Sequence, residues 1–117
     1  MSSEEDERIE NFNKILSNLD EAFNNSEFGK QSKEVIEKVL ISEENKWQKF
    51  HYFYNEFDWR IKDITPIIRD SDEYFLVVKT ELEYLSSDEL HKKTHTSFYQ
   101  IHSYQETFDL KEIPTSK

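Results

Sequence analysis

The sequence predicts an α+β domain: two or three N-terminal helices packed on one face of a C-terminal antiparallel meander of three or four long strands. Three observations carry that reading. Up to about residue 57, apolar side chains recur at the three- and four-residue steps of a helix face. After Asp58 the spacing shortens to every second residue, the period of a half-buried strand. Finally, Leu, Ile, Val and Phe together make up 31 of 117 residues. That is above the ~20% floor below which charged chains stay unfolded.

Ile9, Phe12, Ile15, Leu16, Leu19, Ala22 and Phe23 line one helical face, so the first helix is expected over residues 4–24. Ser2 or Ser3, followed by acidic residues, suits its N-terminus. Asn24, Asn25 and Ser26 break it, and Gly29, the single glycine of the chain, belongs in the connector. Val35, Ile36, Val39 and Leu40 mark a second helix over 31–41. Ser42 before Glu43 and Glu44 reads as a new N-cap. Trp47, Phe50, Phe53, Tyr54 and Phe57 then form a third helical stripe over 43–57, with the second and third helices either separate or one kinked helix.

Trp59 and Ile61 alternate with Arg60 and Lys62, and Pro66 places that first strand at an edge or a bulge. Tyr74, Leu76, Val78, Thr80, Leu82 and Tyr84 alternate with Lys79, Glu81 and Glu83, which puts Leu82 on the core side and Glu83 in solvent. Turns are expected at 69–73 and 86–89. With no glycine there, they should be four- or five-residue loops on type I geometry. Residues 90–113 read as extended, either as one strand bent near Ser103 to Glu106 or as two strands. One domain is expected over 1–113, with 114–117 a flexible tail. This element order is similar to that of NTF2-like and cystatin-like folds, in which a helix packs into a curved sheet of long bent strands. The early strand or hairpin between helices that NTF2-like chains carry has no counterpart in the sequence.

The net charge is −10, and residues 1–45, with 12 acidic and 5 basic side chains, hold −7 of it. A field of that sign repels phosphate backbones and disfavours direct nucleic-acid binding. There is no cysteine, which excludes disulfides and thiolate metal sites. One glycine cannot build a P-loop or a dinucleotide fingerprint, and no Gly-x-Ser-x-Gly elbow is present. No apolar run reaches the ~18 residues of a membrane span, and the N-terminus lacks the pattern of a signal peptide. No cofactor is expected, and cytoplasm is the expected compartment.

The expected function is a non-catalytic acidic protein-interaction module, an adaptor, inhibitor or immunity-type protein, that binds a basic protein surface. Glu34, Glu37, Glu43 and Glu44 supply the charge, and Tyr52, which falls outside the aromatic stripe, supplies an anchor. One alternative is a small-molecule pocket or acid–base enzyme with an NTF2-like cone. Its candidates are Asp58 and Asp63 beside the aromatic cluster and His102, the histidine with the most apolar flanks. The other is a structural homodimer joined through the free sheet face. His91 and His95 share a strand face but would sit about 13 Å apart, too far to chelate one ion, so no metal is expected.

Overall fold

The computed structural model describes residues 3–23, 32–69, 73–104 and 107–114. Helix α1 (Ser3–Phe23) and helix α2 (Ser32–Trp47) are followed by a 3₁₀ turn at Gln48–Tyr52. Four strands complete the chain: β1 (Asn55–Arg69), β2 (Glu73–Ser86), β3 (Glu89–Tyr104) and β4 (Thr107–Ile113). They form one antiparallel sheet in the order β1-β2-β3-β4, a meander with the helices before it. The expected helix break at 24–26, Gly29, the turn centre at 70–72, Gln105 and Glu106 in the expected bend, and the end of the tail at 115–117 lie outside the described residues.

The core lies between the helices and one sheet face. Ile15 and Leu19 of α1 and Val35, Ile36 and Val39 of α2 pack with Ile64, Tyr74, Leu76, Val78, Tyr99 and Ile101 of the strands. Burying each such side chain stabilises the fold by roughly 1.5–3 kcal/mol before conformational entropy is counted. Register sets which residues share that face: Ile64 pairs with Val78, Val78 with Ser97, and Leu76 with Tyr99. The intervening residues look outward. Leu82 and Glu83 are both only half-buried, because they lie beyond the part of β2 that contributes to the core.

Three local expectations are corrected. First, Ser42 does not start a new helix. α2 runs through it to Trp47, and Ser42 Oγ lies 3.0 Å from the Tyr99 hydroxyl instead of capping backbone N–H groups. Second, no helix spans 43–57. α2 ends at Trp47, the 3₁₀ turn covers Gln48–Tyr52, and β1 begins at Asn55. The helix-like spacing has another origin: Phe50 stacks on Tyr54 and Phe57, and Tyr54 meets Tyr84 of β2 at 4.4 Å. A 3₁₀ turn has a three-residue period, so aromatics leaving it can imitate an α-helical stripe.

Third, the β2–β3 connection is a two-residue turn. Ser86 pairs with Glu89, and Ser87 and Asp88 between them have φ of 54° and 64°. Positive φ at both central positions is the mark of a type I′ turn, whose twist suits the strands it joins. Asp tolerates that region better than most residues. The open question at 90–113 is decided in favour of two strands, with Ser103 paired to Phe108 and Tyr104 to Thr107. Pro66 lies in β1, an edge strand, as its missing N–H requires. β1 also carries register shifts between Asn55 and Asp58 and between Ile61 and Asp63, the first beside Glu56 at φ 52°.

β4 pairs with residues 98–104 of β3 only. The other half of β3, residues 89–97, is hydrogen-bonded to β2 on one side and lies at the sheet margin on the other.

Candidate functional site

The most concentrated polar chemistry lies beneath α2. Glu43, expected on the partner-facing surface, is instead 0% exposed. It stands one turn after Val39 and one turn before Trp47, so the helical repeat that buries those two buries it as well. Its carboxylate is fully occupied. Oε1 accepts from Trp47 Nε1 and Thr80 Oγ1, both at 2.9 Å. Oε2 accepts from Lys46 Nζ at 2.9 Å and from the Tyr99 hydroxyl at 2.5 Å. The Lys46 ammonium uses its other two donors on Ser97 Oγ at 2.6 Å and Glu112 Oε2 at 2.7 Å. Every strong donor and acceptor position of the pair is matched, which a buried ion pair needs to offset its desolvation.

These contacts shift both acids. Burial pushes the Glu43 carboxyl up, but hydrogen bonds from Tyr99, Lys46 and Trp47 outweigh it and hold the group below its ordinary value. Burial, joined by the hydrogen bond to Glu43, pushes the Tyr99 phenol well above its ordinary range. Glu43 is therefore ionised and Tyr99 neutral at neutral pH. The cluster ties α2 to β2, β3 and β4 at once, through Thr80, Tyr99 and Ser97, and Glu112. A carboxylate whose acceptor sites are all filled holds no lone pair ready for a substrate proton.

The acid–base candidates are not brought together. Asp58 is exposed on β1, 3.4 Å from Arg8 Nη2 of α1. Asp63 is half-buried and accepts a hydrogen bond from Thr65 Oγ1 at 2.8 Å. His102 is half-buried on the outer sheet face, opposite Asp109, rather than enclosed. Asp58 is in register with Glu83, and Glu83 with Lys92. Lys92 lies ten residues along β3 from His102, roughly 33 Å at ~3.3 Å per residue.

Comparison with protein-family models, with curated proteins and with solved structures finds no match. The surface itself must carry the functional argument.

A groove of about 300 Å³ runs between α1, α2 and β1, floored by Ile15, Ile36, Ile61 and Ile64. Arg8, Asn11 and Arg60 supply its polar lining, and no carboxylate or histidine is among its described residues. Asn11 Nδ2 donates to the Ile61 carbonyl at 3.0 Å, so α1 covers the β1 side of the sheet. A second hollow, also about 300 Å³, is charged, with the carboxylates of Glu7, Asp58, Glu81 and Glu83 set against the cations of Arg8, Arg60 and Lys92. Arg60 pairs with Glu81 at 3.2 Å and Lys92 with Glu83 at 3.8 Å, both across strands.

Of the remaining interaction candidates, Glu34, Glu37 and Glu44 are exposed on α2. Tyr52 is 85% exposed and its neighbour Phe53 is 74% exposed. Among the described residues no group of three or more potential metal ligands assembles. His95 packs edge-on against Trp47, and His91 stacks on Tyr84. No described helix is long and apolar enough to cross a membrane.

Sequence reasoning missed the Glu43 cluster, although one signal was present. Val35, Val39, Glu43 and Trp47 recur every four residues, and a carboxylate on that row had to find donors in the core.

Proposed function

We propose that the chain is a non-catalytic acidic interaction module whose helical side meets a basic protein surface. The observation that carries this reading is the pair Tyr52 and Phe53, 85% and 74% exposed just after the helix that bears Glu34, Glu37 and Glu44. Two adjacent aromatics in solvent leave apolar area uncovered that a partner would bury, at ~150–250 Å² per ring. Tyr is also enriched among the residues that dominate binding energy. The exposed carboxylates of α2 would steer a basic partner and set the salt dependence of its arrival. Filling of the buried acceptors by core donors supports an interaction role over catalysis.

The test is a pull-down with quantified association rates for three proteins: wild type, the reversal of Glu34, Glu37 and Glu44 to Lys, and Tyr52→Ala with Phe53→Ala. Partners should be lost or slowed in both variants, and the wild-type rate should fall as salt rises from about 0.05 to 0.5 M. Identical partners and unchanged kinetics in all three proteins would reject the reading.

A second reading, a homodimer joined through the sheet, is supported by a different feature. Ile67, Phe75, Val77, Phe98 and Ile113 line a shallow apolar hollow on the face away from the core. Sedimentation equilibrium would detect the dimer, and Phe98→Glu should dissociate it.

A further inference from the structure

We propose that the free margin of β3, residues 89–97, is a β-augmentation site for an extended acidic peptide segment of a partner. The site is distinct from the helical surface above and has the opposite charge preference. β3 is 16 residues long, and β4 covers only the part from Phe98 onward. Residues 89–97 pair with β2 through an unbroken register from Ser86–Glu89 to Val78–Ser97. In an antiparallel ladder, alternate residues turn their N–H and C=O groups to the opposite side. Among the described residues nothing pairs with those groups. The helix contacts to this stretch, Trp47 on His95 and Lys46 on Ser97, come from the core face and not from the margin. The open stretch is roughly 30 Å long, room for a strand of ordinary length.

Charge selects the occupant. Lys92 and Lys93 sit at adjacent positions, both exposed, on opposite faces of the strand. Lys92 shares its charge with Glu83 at 3.8 Å, whereas Lys93 has no carboxylate partner among the described residues. An antiparallel second copy centred on either lysine would set that lysine opposite its own counterpart, a like-charge juxtaposition that destabilises a sheet. The same two lysines attract an incoming strand whose carboxylates fall opposite them. Backbone pairing supplies the binding, and the lysines supply the selection. Glu7 of α1 lines the same hollow as Lys92 and Glu83, so Lys93, on the opposite strand face, carries more of the selection than Lys92.

The experiment titrates the isotope-labelled full chain at about 0.15 M salt. One titrant is a pool of octapeptides with two adjacent central acids, Glu or Asp, flanked by Val, Ile or Phe, and the other is a matched pool with Lys in place of the acids. Backbone amide shifts should concentrate in residues 89–97, with hydrogen exchange slowed at alternate positions. The acidic pool should bind about tenfold more tightly than the lysine pool, the difference expected of two cross-strand charge pairs. Lys92→Glu with Lys93→Glu should invert that order, and Lys93→Gln, a milder change, should weaken it. No shift with millimolar acidic peptide, equal response to both pools, or shifts centred elsewhere would overturn the proposal. Protection of 89–97 that grows with the concentration of the free chain would overturn it in favour of a second copy.

Discussion

The Tyr99 hydroxyl donates to Glu43 Oε2 across the space between β3 and α2, joining residues 56 positions apart in the chain. Glu43 is thereby a core residue by hydrogen bonding rather than by hydrophobicity. Trp47, Thr80 and Lys46 complete its shell.

Glu43→Ala should destabilise the chain by about 3–5 kcal/mol, because it removes one of the two carboxylates that hold Lys46 and leaves the Trp47, Thr80 and Tyr99 donors unmatched. Glu44→Ala, one residue on and exposed, should stay within about ±0.5 kcal/mol. Urea denaturation of the two variants checks the contrast. Equal midpoints would show that the cluster adds nothing to stability.

The same cluster sets a pH window. Glu43 has a folded value below its ordinary 4.5, so its stabilisation is fully present above that pH and is lost as pH falls through the lower folded value. Tyr99 is raised above its ordinary 10.0, so its contribution is fully present below pH 10 and is lost at higher pH, where the unfolded phenol ionises first. Thermal midpoints from pH 2 to 11 should fall at both ends. Glu43→Gln should flatten the acid limb and Tyr99→Phe the alkaline limb.

At the β2–β3 turn, the left-handed Ser87 and Asp88 are held where Asn-Gly fits with less strain. Ser87→Asn with Asp88→Gly should stabilise the chain by roughly 0.5–1 kcal/mol. A loss of stability instead would argue against the type I′ geometry.

Leu76 is wholly enclosed in the core, whereas Leu82, six residues along the same face of β2, is half-buried. Leu76→Ala should cost about 2–5 kcal/mol as a cavity-forming change. Leu82→Ala should cost clearly less, as denaturant midpoints would reveal.

Some of this was legible in the residues alone. The alternation of Tyr74, Leu76, Val78 and Thr80 placed β2 and its core face, because a two-residue period has one structural meaning over that length. Val35, Ile36 and Val39 likewise placed α2. The aromatic run from Trp47 to Phe57 was misread, since a 3₁₀ turn entering a strand can reproduce helical spacing. The primed turn was missed because Ser87 adopts a conformation that its type rarely favours alone, held there by the pairing of β2 with β3 on both sides.

The sequence by itself therefore determined the fold class, the order of elements, the acidic excess and the exclusion of nucleotide-binding loops and thiolate chemistry. These follow from composition and local periodicity, which need no knowledge of distant neighbours. Tertiary structure alone decided that Glu43 is buried, that Asp58, Asp63 and His102 stand apart, and that half of β3 has, among the described residues, a strand on one side only. Each of those outcomes depends on strand register and helix placement. A carboxylate becomes a core residue only when α2, β2 and β3 bring their donors to it.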